Sequence, residues 1–307
     1  MSDSKPLSND SFGSSPPSPL ARACIRLAQT MPPNKAGFHV ANLMRSWVTR
    51  FASVPMDVQA EDLRLRCFFR DNYSEKKFVF TPWRFDAQER RYIRDNLPAD
   101  GVFLDIGANV GIYSLTALKA LDTRGTLVSI EPNPAVHKRL VFNLNANMDA
   151  NPNQAPTLHT VQAGISDRNH TLELHINHSN LGQSSVNEHG RSRHQATQSN
   201  AGDTESIPCR PLLELLEELS IQRVDGLKID IEGAEDRALV PYLEDSPEHL
   251  LARFILIENS EDAWDLPLLA TMQQRGYQRV QQFSMNSLYR LESAEGSGHP
   301  EEAPGAP

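Results

Sequence analysis

The sequence predicts an α/β fold with a doubly wound, mostly parallel sheet, and three features carry that expectation. Residues 104–114, LDIGANVGIYS, read as an apolar strand that turns on two glycines and enters a helix. Three more apolar runs, Thr126 to Ile130, Val224 to Ile229 and Phe254 to Ile257, are each followed at once by an acid: Glu131, Asp230 and Glu258. Tyr277 to Phe283 and Leu288 to Leu291, joined by a short turn at Met285 to Ser287, read as an antiparallel hairpin at the edge of the sheet. At 307 residues and 39% apolar content, the chain can bury one large core with appendages.

Residues 1–19 hold seven serines and four prolines, too little apolar surface to offset the entropy of ordering, and are expected to be disordered. Residues 20–97 form an extension. Its first part, Leu20 to Phe51, is helical in pattern and carries Arg22, Arg26, Lys35, Arg45 and Arg50 with no acid. Such a stretch suits weak association with an anionic membrane, or a transit peptide. Pro32 and Pro33 break it in two, which favours a helical prefix packed on the core. Leu63 to Phe69 and Lys77 to Phe80 alternate around the polar Arg70 to Lys76 and predict a β-hairpin. Asp86 to Leu97 reads as a helix leading into Pro98 and Gly101, where the main domain, residues 98–291, begins. The acidic, Gly- and Pro-rich residues 292–307 are expected to be a disordered tail.

The turn after the first strand of the main domain sets the chemistry. Glycine lacks a Cβ, so the backbone at Gly107 and Gly111 can bend sharply and lie against a ligand. Free N–H groups at the helix start point toward that ligand. A dinucleotide site would show G-x-G-x-x-G. Here Asn109 stands where the second glycine belongs, and Asp105 precedes the first. A carboxylate at that place repels a pyrophosphate and suits a cation such as the ammonium of a methionine moiety. The pattern D-x-G-x-N-x-G therefore favours S-adenosylmethionine over NAD. Glu131, which closes the second strand, has the position of the acid that bonds ribose hydroxyls in nucleoside-binding α/β folds, and Asn133 is grouped with it in the cofactor site. The plain alternative is that Glu131 merely sits near an N-cap, with Asn133 capping a helix that has Pro134 at its first position.

Three segments in order, LDIGANVGIYSL, then SIEPNP with the L-x-x-N-L-x-x-N run of Leu140, Asn143, Leu144 and Asn147, then GLKIDIEGAE at 226–235, resemble the FkbM-type S-adenosylmethionine-dependent methyltransferases. The resemblance spans residues 57–291. It implies a class I methyltransferase sheet, Rossmann-like, with an antiparallel C-terminal hairpin strand. It also implies S-adenosylmethionine as cofactor and O-methylation of a hydroxyl on a sugar, glycolipid or natural product. The loop after the third strand, Leu158 to Gln162, would touch the adenine, which offers Ser166 or Asp167 to its amino group. Asp167 equally suits an Asx-turn before Arg168 and Asn169. The first and fourth strands are neighbours in the class I order, so Asp105 and Asp230 are expected to converge beside the transferable methyl.

Strand alternation puts Lys228 and Asp230 on one side, with Glu232 joining them if the strand runs on. A hydroxyl must lose its proton as it attacks, so Asp230 or Glu232 is the expected general base. Lys228 would orient that carboxylate or stabilise the developing alkoxide. Glu258 is a third candidate acid and would bind neighbouring hydroxyls. The plain alternative makes Asp230 and Glu232 caps of the next helix. No metal is expected, because the acids lack a dedicated Asn partner and no His or Cys pair has zinc spacing. Tyr73, Trp83 and Phe85 offer faces for a sugar, or simply pack. Residues 177–206 are polar, and six of the ten histidines fall between His159 and His194. The stretch reads as a mobile loop, and residues 180–184 within it resemble the family's substrate-side segment.

The net charge of −9, with no long basic run in the core, argues against a nucleic-acid substrate. Cys24, Cys67 and Cys209 are odd in number and read as reduced thiols of a cytoplasmic protein. No apolar stretch is long enough to span a membrane. Two other function classes stand beside the methyltransferase: a nicotinamide-dependent oxidoreductase, disfavoured by the missing glycine, and a non-catalytic cofactor-binding module of the same fold.

Overall fold

A computed structural model describes residues 11–148, 155–175, 181, 185–186 and 204–292. Helix α1, Pro19–Gln29, starts on the Ser18 hydroxyl, and α2, Lys35–Phe51, starts on the Asn34 side chain, which accepts from the Gly37 amide at 2.9 Å. The break at Pro32 and Pro33 is where the sequence places it, and the two helices pack on the core through Ala21, Ile25, Ala28, Gly37, Ala41 and Val48.

Strands β1, Met56–Ala60, and β2, Leu63–Cys67, pair antiparallel, followed by helices α3, Tyr73–Phe80, and α4, Ala87–Asn96. This corrects the expected hairpin of Leu63 to Phe69 with Lys77 to Phe80. The second arm is helix, and the true partner of β2 lies before it. The cause is local: the Asn72 side chain accepts from the Glu75 amide at 3.0 Å, a capping arrangement that starts a helix at Tyr73 despite the alternating residues beyond.

The main sheet is assembled from β3, Val102–Ile106, β4, Thr126–Ile130, and β5, Thr157–Val161. A smaller four-stranded sheet follows: β6, Gly164–Ile165, β7, His170–His175, β8, Ser185–Val186, and β9, Thr204–Arg210, in the order β6-β9-β7-β8. The main sheet resumes with β10, Gly226–Ile229, β11, Phe254–Glu258, β12, Tyr277–Gln282, and β13, Asn286–Leu291. Its order is β12-β13-β11-β10-β3-β4-β5, parallel from β5 to β11, with β13 antiparallel. Helices α5, Ile112–Leu118, α6, Pro134–Asn147, α7, Leu212–Glu218, α8, Glu235–Asp245, and α9, Leu268–Gln274, cover it.

Strand residues alternate between two cores. Phe103, Leu127, Leu256 and Leu288 face the extension with α5 and α6, whereas Leu104, Ile106, Val128, Ile229 and Ile257 face α7, α8 and α9. This is the doubly wound arrangement expected, with the chain reversing direction of winding beside β3.

The extension is locked to the sheet by α6. Asn143 accepts from the Arg66 amide at 2.8 Å and donates to the Val110 carbonyl at 2.9 Å. One turn later, Asn147 accepts from the Arg64 amide and donates back to the Arg64 carbonyl. Two asparagines four apart on a helix thus satisfy alternate residues along the open edge of β2.

Residues 1–10 lie outside the described residues, but 11–18, expected to be disordered, are held in place. Arg66 and Asp57 face each other across β1 and β2, both 1% exposed, and make a two-bond ion pair of 2.6 and 2.8 Å. Asp57 Oδ2 also accepts from the Gly13 and Ser15 amides, and Arg66 donates to the Ser11 carbonyl and the Ser14 hydroxyl. The buried pair thus supplies partners that composition alone does not show. Most of the polar stretch 177–206 and all of 293–307 lie outside the described residues. The three cysteines are free thiols.

Candidate active site

Both glycines of the first turn have left-handed backbones, Gly107 at φ +76 and Gly111 at φ +94. A Cβ on Gly107 would lie 1.9 Å from the Asp230 carbonyl oxygen, and one on Gly111 would lie 2.7 Å from Leu140. Glycine is therefore required here by the approach of β10 and α6 as well as by any ligand. The Ile130 carbonyl holds the turn by accepting from the Gly107 and Ala108 amides, each at 2.9 Å.

Asn109, at φ +51, occupies the crest of the turn. Its amide donates to Glu131 Oε2 at 2.9 Å, and its side-chain oxygen accepts from the Val110 amide and from Asn72 Nδ2 at 2.7 Å. Glu131 Oε1 accepts from the Asn133 amide, also at 2.9 Å. Burial pushes this carboxyl up to about 7, with the Asn133 and Asn109 amides opposing the shift. Each carboxylate oxygen retains a second lone pair that a hydroxyl can use. Asn133 lies behind Glu131, 1% exposed, and caps α6 by accepting from the Ala135 and Val136 amides.

Asp105 is 1% exposed, so its carboxylate lies inside the layer between sheet and helix rather than at the open turn. The Ser114 hydroxyl donates to it and also contacts the Ser129 hydroxyl. Burial raises the Asp105 carboxyl, and the Lys228 ammonium opposes that shift. Lys228 is the register partner of Asp105 across β3 and β10, itself 2% exposed, with Nζ 2.8 Å from Asp230 Oδ2. Burial would lower the ammonium, but Asp230 and Asp105 outweigh it and hold Lys228 above its ordinary value. The two aspartates do converge, with this lysine between them.

Beyond Asp230 the chain turns through Glu232 at φ +56 and Gly233 at φ +95. A glutamate in the left-handed region is strained, and its surroundings must hold it there. Glu235 does so: one oxygen accepts from the Ile231 and Gly233 amides at 2.9 and 3.2 Å, and the other accepts from the Trp264 indole at 2.9 Å. Glu232 is exposed to solvent on one side; desolvation on the other, with repulsion by Asp230 and Glu258, pushes it up to about 8. Glu258, bonded by the Ser260 hydroxyl at 3.1 Å, is pushed up to about 7 by burial and by Asp230.

Asp86, at φ +44, accepts from the Tyr113 hydroxyl at 3.1 Å, and Lys228 Nζ lies 5.1 Å from the Tyr113 ring centre. Asp86, Tyr113, Asn72 and Glu235 were not singled out by sequence reasoning. The N-x-x-E spacing of Asn72 and Glu75 was a readable signal, whereas nothing in the chain marks Asp86 as facing Lys228. Ser166 and Asp167 stand apart: Ser166 donates to the Arg210 carbonyl, and Asp167 lies 3.9 Å from Arg237. Neither shares a hydrogen bond or ion pair with the turn at Gly107 to Gly111 among the described residues. Tyr73 is exposed with Lys77 over its ring, and Phe85 packs against Phe78.

The donor set fits a nucleoside that carries a positive charge. Glu131, Asp230 and Glu258 lie at or just past the ends of β4, β10 and β11 on one rim, Asp105 is enclosed behind them, and Glu131 keeps acceptor capacity for a hydroxyl.

Among curated proteins, the chain is 26% identical over 222 residues to the methyltransferase sdnD of Sordaria araneosa, covering 66% of this chain and 80% of that one. It is 28% identical over 195 residues to the AMB antimetabolite synthetase AmbE of Pseudomonas aeruginosa, covering 53% of this chain and 9% of the synthetase. Among solved structures it is similar to the methyltransferase FkbM from Methylobacillus flagellatus KT, at 15% identity and a TM-score of 0.40, covering 82% of this chain and 59% of that one. M. jannaschii TYW2 in complex with AdoMet matches at 9% identity and a TM-score of 0.38, covering 79% of this chain and 89% of that one. The model of the methyltransferase FkbM domain matches residues 105–279, more than half of the chain and the whole span from Asp105 through Glu258. The chain belongs to the FkbM methyltransferase family.

Proposed function

We propose that this chain is an S-adenosylmethionine-dependent O-methyltransferase that acts on a hydroxyl of a sugar, glycolipid or natural product. The observation that carries the reading is the group formed by Lys228, Asp230, Glu232 and Glu258 at the ends of β10 and β11, next to the glycine turn after β3. S-adenosylmethionine supplies an activated methyl group, so the protein must hold an acceptor in line and take its proton. Glu232 suits the proton-accepting role, since a carboxylate whose affinity for protons lies near neutrality accepts one most effectively. Lys228 fixes Asp230 through their 2.8 Å bond, which lets Asp230 orient the acceptor. Glu258 binds a neighbouring hydroxyl. Glu131 binds the ribose, Asn109 and Gly111 shape the seat with Gly107, Asp105 adds negative charge beneath it, and Ser166 or Asp167 meets the adenine. This acidic cluster favours an uncharged acceptor over nucleic acid, whose phosphates the carboxylates would repel.

The test is transfer of labelled methyl from S-adenosylmethionine into a panel of sugar, lipid and polyketide hydroxyls, paired with thermal shifts in the presence of S-adenosylmethionine and of NAD. Label in an ether product and a shift with S-adenosylmethionine alone are expected. Binding without transfer to any acceptor would instead favour a module that kept the fold and lost the reaction.

The extension reaches this site through Asn72. Its replacement by alanine is expected to weaken S-adenosylmethionine binding about three- to tenfold by titration calorimetry, the worth of one side-chain hydrogen bond. Asn72→Asp, which keeps the helix cap but cannot donate to Asn109, should show at least the same loss, with a lower melting temperature because the new charge is buried against an acceptor. Full affinity in that variant would detach Asn72 from the cofactor turn.

A further inference from the structure

The helical pair α1 and α2 presents large apolar side chains to solvent as well as to the core. Its buried face holds Ala21, Ile25, Ala28, Gly37, Ala41 and Val48, four of them small, while five large apolar side chains stand on the outer face. Leu20, Leu27, Val40, Leu43 and Phe51 are 58, 46, 38, 64 and 66% exposed. They are five of the nine large apolar side chains exposed on the described surface, concentrated in 32 residues. An ordinary amphipathic helix keeps its outward face polar.

The same stretch carries Arg22, Arg26, Lys35, Arg45 and Arg50 and no acid, in a chain whose net charge is −9. None of the five has an acidic partner among the described residues. On α2 the helical spacing puts Lys35, His39, Leu43, Ser46 and Arg50 along one outward line, with Ala36, Val40, Trp47 and Phe51 beside it. Trp47 and Phe51 form a tilted aromatic pair, and Arg50 lies 5.8 Å from the Phe51 ring centre. Unpaired cations interleaved with exposed leucine and aromatic side chains match a surface that is both negatively charged and apolar just beneath.

We infer that α1 and α2 dock the protein on the face of an anionic phospholipid bilayer, with the basic side chains at the headgroups and Leu20, Leu27, Leu43 and Phe51 entering the acyl boundary. No helix among the described residues is long and apolar enough to cross a membrane, so the attachment is peripheral and reversible. The pair packs on α3, whose preceding residue Asn72 bonds the cofactor turn. Docking would therefore hold the methyltransferase cleft near acceptors carried in or on the bilayer. The docking surface itself does not depend on the identity of the acceptor.

The experiment is sedimentation of the full chain with vesicles of phosphatidylcholine alone and of phosphatidylcholine mixed with phosphatidylglycerol, at low and high salt. Strong pelleting with the anionic vesicles, weakened by salt, is expected. Removing a single basic residue, as in Arg22→Ala or Arg26→Ala, should cost about fivefold in partitioning. The double variant Leu43→Glu with Phe51→Glu should lose binding by more than tenfold while its melting temperature and its S-adenosylmethionine affinity stay unchanged. Equal behaviour with neutral and anionic vesicles, or no pelleting with either, would overturn the inference. So would concentration-dependent dimerisation in light scattering that the same double variant abolishes, since a second copy would then cover this face. The methyl-transfer assay with soluble acceptors reads the proposed reaction separately.

Discussion

Glu232→Gln is expected to slow methyl transfer by about 10² to 10⁴-fold, the usual worth of a positioned proton acceptor, while leaving S-adenosylmethionine affinity unchanged. The amide keeps the size of the side chain and the left-handed backbone that Glu235 enforces, so the loss falls on chemistry and not on folding. The sign of the pH dependence follows from the direction of the shift. A carboxyl raised to about 8 is mostly protonated at pH 6, where it cannot accept, and becomes competent as pH rises through that value. The wild-type rate should therefore climb between pH 6 and 8 and level off above, and that climb should vanish in the glutamine variant. Asp230→Asn removes the counter-charge of buried Lys228 and should disturb cofactor affinity as well as rate. A glutamine variant at position 232 that retains both rate and pH profile would move the proton to Glu258, the other acid raised toward neutrality.

Asp57→Ala should destabilise the protein by about 3 to 5 kcal/mol, because it leaves the Arg66 guanidinium buried without its counter-charge. The magnitude is set by geometry: both side chains are 1% exposed, and the Gly13 and Ser15 amides lose their acceptor in the same step. Chemical denaturation of the variant would show it as a lower midpoint with the N-terminal residues released. Replacing both partners with apolar residues, Asp57→Leu with Arg66→Met, should cost less than the single change, since no charge then stays buried. Burial alone would raise the Asp57 carboxyl, but the Arg66 guanidinium and the two amides outweigh it and hold it below 3.8. Its contribution is thus complete above the unfolded value and is lost as pH falls through the lower folded value. An alanine variant as stable as the wild type would show that the pair is incidental.

The sheet was legible because its signals are local. Apolar runs bounded by glycines and acids placed β3, β4, β10 and β11 within two residues of where they lie, and the closing hairpin was found too, although its turn, expected at Met285 to Ser287, ends before β13 begins at Asn286. The convergence of Asp105 and Asp230 was also foreseeable, since it depends only on neighbouring strands. What stayed hidden depends on contacts distant in sequence. Lys77 to Phe80 alternates like a strand, and only the Asn72 cap decides for helix. Residues 11–18 look too polar to order, and only the Asp57 and Arg66 pair, some 40 to 50 residues away, supplies their partners. The same distance explains why Asp105, read as an open contact for the cofactor, proves to be enclosed by Ser114 and Lys228.

Asn143 and Asn147 have a bearing on how this protein can be taken apart. Because they grip Arg64 and Arg66 as a neighbouring strand would, and because Asn143 also reaches the Val110 carbonyl, the segment preceding the signature motifs forms a structural wall of the catalytic body. Trimming a gene to its recognisable half would remove that wall and leave the Asn143 and Asn147 side chains without their backbone partners on β2. Recombination between relatives would preserve function best when the crossover keeps residues 56 to 147 from one parent.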